Sequence, residues 1–412
     1  MPVRRGRAAR SAVESAIPQC RHLPQVTTGR PESGQTAAVT SFTFATAGRI
    51  SFGAGSRREL PGAVAGLGSR AFVCTGSDPT RHADLLAGLP DAATFAIRGE
   101  PTMDVVRAGA QAAREHGADV VVGLGGGAVL DAAKIIAALV TNGGDPLDYA
   151  EVIGAGRPLA VPCLPFVAVP TTAGTGSEVT ANGVVTSTEH RVKVSLRSPS
   201  MLARVAIVDP ELTLGCPPAV TAHAGLDALV QCIEPFVSPF ANPLVDGFCR
   251  EGIRRAAAGL RRAYDDGSDL VARADVSLCS LLSGLALANG KLGAAHGIAG
   301  PLGGFIGAPH GAITASVMAA VCEFNLAHGD EHTRDRYAEV GELLTGNRDA
   351  NALLDWWNET IAELGVEGLA ALGLTEDGIE PVAEAAAKAS STKGNPVPVS
   401  PADFAAILRR SL

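Results

Sequence analysis

One carboxylate and two imidazoles stand in apolar, glycine-rich stretches where charge is costly. They are Asp227 in Gly225-Leu226-Asp227-Ala228, His296 in Ala295-His296-Gly297-Ile298 and His310 in Ala308-Pro309-His310-Gly311. A carboxylate buried among such residues needs a partner. One Asp with two His is a donor set for Zn²⁺ or Fe²⁺ that leaves coordination positions open. A histidine in apolar surroundings also serves as an ordinary core residue, and spacing alone does not separate the two readings. On a helix Asp227 and Gln231 are four residues apart and share a face, with Glu234 one step further round.

Two glycine-rich turns offer a different chemistry. The run Val120-Val121-Val122-Gly123-Leu124-Gly125-Gly126-Gly127-Ala128 leads a strand into glycines that open a helix. Bare N–H groups and the positive helix end then converge on one spot, suited to a pyrophosphate. The letters fit GxGxxG/A, but far from the first strand where a dinucleotide fingerprint belongs, and a tight packing turn is the alternative. The second turn, Pro170-Thr171-Thr172-Ala173-Gly174-Thr175-Gly176-Ser177-Glu178-Val179-Thr180, crowds hydroxyls around glycines. It offers donors to an amide or a ribose, or it is simply a turn capped by Thr175 or Ser177.

The elements that must carry these residues are legible in the pattern. From Phe42 to about Val208 strands alternate with helices: apolar runs at 70–75, 119–124, 166–169 and 205–208 surround a helical stretch at 102–116. This implies a parallel sheet covered by helices on both faces. Beyond about residue 215 amphipathic helical segments take over, including 221–236, 243–264 and 270–289. The expected organisation is an α/β dinucleotide-binding domain over 41–214 and an all-helical metal and catalytic domain over 215–412. Residues 1–40 hold six arginines against two glutamates and no sustained apolar period, which reads as a disordered extension.

Composition narrows the partners. The chain has 412 residues, 46% hydrophobic and 18% charged, with a net charge of −8, as expected for a folded protein of two domains. No basic surface for nucleic acid is indicated, and no apolar run reads as long and uncharged enough for a membrane span. Eight cysteines without CxxC pairs suggest buried thiols in a reducing cytoplasm. Small molecules are the expected partners.

Taken together, Gly125-Gly126-Gly127 with Asp131 and Lys134, the run 170–180, Asp209-Pro210, Gly225-Leu226-Asp227-Ala228 and Pro309-His310-Gly311 occur in the order and at the spacings of the iron-containing (group III) alcohol dehydrogenases. The chain resembles that family from about residue 42 to its C-terminus. The resemblance implies a dehydroquinate synthase-like fold with catalysis in the cleft between the domains, and assembly as a dimer or larger homo-oligomer. It implies a hydride transfer between NAD or NADP and an alcohol or aldehyde, with a divalent metal, iron or zinc, polarising the oxygen. Residue by residue, it implies that Gly125, Gly126 and Gly127 hold the pyrophosphate, with Asp131 of the same motif also among the cofactor-binding residues. Thr171, Thr172, Thr175, Thr180, Asn182 and Lys193 would surround ribose and nicotinamide, and Asp227, His296 and His310 would be catalytic metal ligands.

Departures from the family pattern carry their own expectations. The family has His where this chain has Gln231, Ser at Ala128 and an active-site His at Gly300. Gln231 is a weak candidate fourth ligand, because its amide oxygen is neutral and hard where imidazole suits Zn²⁺ and Fe²⁺. Gly300 cannot relay a proton, so protonation would pass through water, the ribose hydroxyls or a residue such as His223, which itself reads as an ordinary helix-start residue, and Gly300 leaves room for a bulkier aldehyde. Gly76 stands where NAD-preferring members have an Asp, so a 2′-phosphate is not repelled, and Ser77, Arg81 and His82 lie near enough in sequence to receive it. Two rivals share the fold: a dehydroquinate-synthase-like lyase, and a nucleotide-binding protein that has lost catalysis.

Overall fold

The computed structural model describes residues 41–412 apart from Pro90 and Arg191; the extension expected at 1–40 lies outside the described residues. Six strands form one parallel sheet: β1 (Ile50–Phe52), β2 (Ala71–Thr75), β3 (Ala93–Ala96), β4 (Val120–Gly125), β5 (Phe166–Pro170) and, after the ribbon described below, β8 (Val205–Val208). Their spatial order is β1-β8-β5-β4-β2-β3. The chain runs from β2 outward to β3 and returns to β4 on the other side of β2. The order therefore reverses between β2 and β4, and the crevice at the carboxyl ends of two such strands is where open α/β sheets bind ligands.

Alternation along the strands sorts the two faces. Val120, Val122 and Leu124 pack with Val167, Val169 and Ile207 against the short helices α1 (Leu60–Ala65) and α2 (Ala83–Ala87). Val121, Phe166, Ala168 and Ala206 pack on the opposite face, under α3 (Met103–His116) and α4 (Gly127–Asn142). Helix α3 is framed by its own residues: Thr102 accepts from the Val105 N–H at the start, and Gly117 closes the end with φ of 72°. A third short helix, α5 (Pro146–Tyr149), precedes β5.

An antiparallel ribbon, β6 (Asn182–Ser187) and β7 (Val192–Arg197), stands apart from the main sheet. The strand–helix alternation predicts the parallel sheet and says nothing of this ribbon. The ribbon bears two of the residues assigned to the cofactor, Asn182 and Lys193, and Gly183 lies over Asp131 and Ile135 of α4.

After β8 the chain is helical: α6 (Pro218–Val237), α7 (Pro243–Asp265), α8 (Leu270–Gly290), α9 (Ala294–Ile306), α10 (His310–His328), α11 (Glu331–Thr345), α12 (Ala350–Glu363), α13 (Glu376–Lys388) and α14 (Pro401–Arg410). Their apolar faces build one continuous core, with Leu226, Leu229, Ile233, Ile253, Leu260 and Ile298 fully buried within it. The sequence pattern predicts no run suited to a membrane span, whereas α8 is long and apolar enough by length and composition. Its most apolar window is 61% buried inside the protein, so its hydropathy is accounted for by packing against α6 and α7. All seven cysteines among the described residues are free thiols, and all but Cys216 are buried.

Candidate active site

The glycine turn and the hydroxyl-rich turn meet side by side at the ends of β4 and β5. Gly125 pairs with Pro170 in the ladder, and the Thr171 N–H donates to the Gly125 carbonyl at 2.9 Å. None of Gly125, Gly126 or Gly127 has a left-handed φ, so close approach is what selects glycine there. A Cβ on Gly127 would lie 2.6 Å from Thr175 Cγ2, and one on Gly126 3.3 Å from Thr172 Oγ1. Gly126 is the N-cap of α4 and no side chain caps that helix, which leaves its positive end to other partners.

The second turn is held from beneath by a buried cation. Lys134 of α4 is fully buried, and its Nζ donates to the Ser177 carbonyl at 2.9 Å and to Thr180 Oγ1 at 3.0 Å. Burial pulls its pKa down, and Asp131, 3.5 Å away, opposes that. Asp131 is itself occupied: one oxygen accepts from Ser177 Oγ at 2.5 Å and the other from the Val184 N–H at 3.0 Å. The side chain assigned to the cofactor is thus engaged in joining the turn and the ribbon to α4. Gly176 takes φ of 61°, and a Cβ there would lie 2.3 Å from Gly284 Cα of α8, so the turn is also pinned to the helical half. Glu178, buried beside it, has its carboxyl pushed up by burial to about 7, with Lys134 opposing.

Three helices bring the metal candidates together. Asp227 lies inside α6, His296 near the start of α9, and His310 is the first residue of α10. Asp227 Oδ1 is 3.5 Å from His296 Nε2 and 3.9 Å from His310 Nε2. Donor atoms bonded at about 2.1 Å to one tetrahedral ion are separated by about 3.4 Å. His296 Nε2 is buried and has no hydrogen-bond partner, an unmet capacity aimed at the other two donors. Asp227 and His296 side chains are 3–4% exposed while that of His310 is 33% exposed, so the cluster opens to solvent on the His310 side. The residues present fit a divalent ion.

Electrostatics set the protonation of this cluster. Burial alone would raise the Asp227 carboxyl, but His310, His296 and Thr314 hold it below the ordinary range. Burial lowers the His310 imidazole against the pull of Asp227, favouring the neutral form a ligand requires. Burial also acts to lower His296, but the carboxylates of Glu234 and Asp227 outweigh it and push it up to about 10.

Several supporting contacts are not encoded in local spacing. Glu234 Oε2 lies 2.6 Å from His296 Nδ1, and its other oxygen accepts from the Ala295 N–H at 2.7 Å. It orients the ring so that Nε2 faces the cluster, the usual second partner of a ligating histidine. Thr314, one turn after His310 on α10, donates to Asp227 Oδ1 at 2.8 Å. Gln231 points its amide nitrogen at Asp227 Oδ2, at 2.7 Å, and its oxygen at Ser283 Oγ, 3.1 Å away. This orientation is at odds with the expected ligand role, because the only atom of Gln231 able to bind a metal is turned away from the cluster.

The remaining candidates are placed by their own contacts. Lys193 reaches from the ribbon toward α9, with Nζ 3.4 Å from Glu100 and 3.9 Å from a Cβ built on Gly303. A Cβ built on Gly300 meets nothing within 4 Å, and the same holds for Gly76 at the end of β2. His223 is one turn before Asp227 and half-buried, with burial lowering its pKa.

Comparison with known proteins places this architecture. The family described as "Iron-containing alcohol dehydrogenase" matches residues 47–210, and "Fe-containing alcohol dehydrogenase family, C-terminal" matches residues 221–412. A 4-hydroxybutyrate dehydrogenase of Cupriavidus necator is 36% identical over 341 residues, 81% of this chain and 88% of that protein. The crystal structure of a 1,3-propanediol oxidoreductase superposes with a TM-score of 0.84 at 32% identity, over 90% of this chain and 100% of that one. A sulfoacetaldehyde reductase from Bifidobacterium kashiwanohense, solved in complex with NAD⁺, superposes with a TM-score of 0.81 at 27% identity, over 90% and 99%. The chain belongs to the iron-containing alcohol dehydrogenase family. It is an oxidoreductase of the alcohol dehydrogenase class, built as a parallel α/β half followed by a helical half.

Proposed function

We propose that the protein transfers hydride reversibly between NAD(P) and a small-to-medium alcohol or aldehyde, with Asp227, His296 and His310 holding a divalent iron or zinc ion. The observation that carries this reading is the buried, unpartnered His296 Nε2, aimed at Asp227 and His310. A bound divalent ion would supply Lewis acidity toward the substrate oxygen. In this reading residues 41–214 form the cofactor domain and 215–412 the metal and catalytic domain.

The chain's own residues supply the rest. Gly125, Gly126 and Gly127 keep the first turn of α4 bare, so that backbone donors and the helix end can receive a pyrophosphate. Thr171, Thr172, Thr175, Thr180 and Asn182, set by the Lys134 and Asp131 network, offer polar groups to ribose and nicotinamide, and Lys193 adds a cation at the cleft. Glu234 keeps His296 Nδ1 occupied and so leaves Nε2 as the free donor atom. Gly300 excludes nothing from the space beside His296, which favours a bulkier aldehyde. Gly76 presents no carboxylate to an adenosine 2′-phosphate, which supports use of NADP.

The test is metal content by elemental analysis of chelator-free protein, wild type against His310→Ala, together with reduction of an aldehyde panel by NADPH and NADH. A near-stoichiometric metal that His310→Ala loses, with NADPH-dependent turnover, is expected. No metal in either protein after loading with Zn²⁺ or Fe²⁺ would sink the assignment of the ligands.

A further inference from the structure

Gln231 stands where the helix could supply a fourth ligand, yet its contacts describe a different task. Its Nε2 lies 2.7 Å from Asp227 Oδ2, and its Oε1 lies 3.1 Å from Ser283 Oγ on α8. The reversed amide is excluded by chemistry. A carboxylate oxygen only accepts, so an amide oxygen 2.7 Å from Asp227 Oδ2 would set two acceptors against each other. All three groups are buried, where an unpaired polar atom is costly.

Asp227 divides its two oxygens accordingly. Oδ1 accepts from Thr314 and faces both imidazoles, while Oδ2 is taken by Gln231. Helix geometry supports the clamp, since Gln231 is one turn beyond Asp227 and on the same face of α6. Pro235 has no N–H to donate to the Gln231 carbonyl four residues back, so α6 lacks one of its bonds at this residue, and Ser283 Oγ, whose one proton is shared between the Ser280 carbonyl at 2.8 Å and Gln231 Oε1 at 3.1 Å, ties the side chain to α8.

We propose that Gln231 is a positioning residue rather than a ligand: with Ser283 it fixes the Asp227 carboxylate so that Oδ1 alone is presented to a metal held with His296 and His310. The proposal rests on the assignment of those three residues as the metal site. Its consequence is a centre with one protein ligand fewer than an Asp-plus-three-His set, and correspondingly more room for exogenous oxygen donors.

The test titrates Co²⁺ into chelator-stripped full-length protein, read by visible absorption and equilibrium dialysis, with thermal melting of each metal-free form. Gln231→Met should keep the wild-type Co²⁺ absorption envelope while binding weakens roughly 10- to 100-fold, the scale expected for losing an outer partner of a ligand. Ser283→Ala should weaken binding in the same direction by less, and it carries the test if Gln231→Met melts far below wild type. Gln231→His should tighten binding and change the envelope, as a nitrogen donor is added. An envelope of lower coordination number in Gln231→Met would make Gln231 a ligand and overturn the proposal. Unchanged affinity in both Gln231→Met and Ser283→Ala, with binding lost in Asp227→Asn, would overturn the clamp and leave the site standing. Binding that Asp227→Asn leaves untouched, or no binding by wild type, would overturn the site assignment and the clamp together.

Discussion

Gly127 opens α4 and Gly300 lies inside α9, and the space around the two is opposite. At Gly127 there is no space: a Cβ would fall 2.6 Å from Thr175 Cγ2. At Gly300 there is space to spare, with nothing within 4 Å of a Cβ. The region proposed for the cofactor is assembled by backbone brought into contact, two turns touching through missing side chains. The region proposed for the metal is assembled by charges set around an opening, with Asp227, His296 and His310 contributed by three helices. Contact surfaces tolerate no added atoms, whereas a charge cluster tolerates added volume nearby but no change of charge.

The largest effect should come from breaking the charge cluster. Asp227→Asn keeps shape but removes the carboxylate that faces both imidazoles. Turnover of the best aldehyde should fall about 1,000-fold, the upper range for losing an electrostatic element of a catalytic site, with metal content falling in parallel. Retained turnover without metal would place the catalytic side under the same rule as the cofactor side.

Next is the buried charge on the cofactor side, Glu178. Its carboxyl is raised from 4.5 to about 7 by burial, so the folded state holds a proton that the unfolded chain has already released. Stability is therefore lost as pH rises from about 4.5 to 7, by roughly 3 kcal/mol if the whole shift is expressed. Glu178→Gln should flatten the curve of urea unfolding free energy across that window. An unchanged slope would mean that Lys134 pays out the charge in full and that the group is ionised throughout.

Gly127→Ala tests the contact rule directly. Overpacking of this kind costs about 1–3 kcal/mol, and here it should appear as a rise of roughly 10- to 100-fold in the dissociation constant for NADPH, read by quenching or calorimetry. Thr175→Ala in the same chain removes the two atoms nearest the added methyl and should recover part of the loss. Additive losses would show that the turns do not meet as described.

How far this contrast could be read beforehand follows from the same physics. Strands 2, 4, 5 and 8 and the long helices announce themselves by local pattern, and their observed bounds differ from the expectation by a few residues at most. The missed strands β1 and β3 are the edges of the sheet, three and four residues long, too short for a pattern to stand out. The ribbon β6–β7 was hidden among polar residues, with half its positions only partly buried. Asp227, His296 and His310 were legible through their apolar surroundings and the family resemblance. Thr314, Ser283, Glu234 and Lys134 act through partners 43 to 87 positions away, and no local spacing encodes such a contact. Gln231 was visible as a departure, but the direction of its amide depends on Ser283 of another helix.

Gly300→Ala should have the smallest effect and discriminates most finely. Replacing glycine by alanine in a helix interior gains up to about 1 kcal/mol, and the open space means no clash offsets it. The melting temperature should rise by a few degrees or stay level, and metal content should not change, because His296 keeps its contact to Glu234. Activity should separate by substrate: a short aldehyde keeps its kcat/KM, while a branched or aromatic aldehyde loses several-fold as the methyl takes up room beside His296. A stability gain with equal loss for all aldehydes would mean that the backbone at 300, not the volume above it, matters for turnover. A gain with no loss for any would mean that substrate approaches from the His310 side alone, where the cluster already opens to solvent.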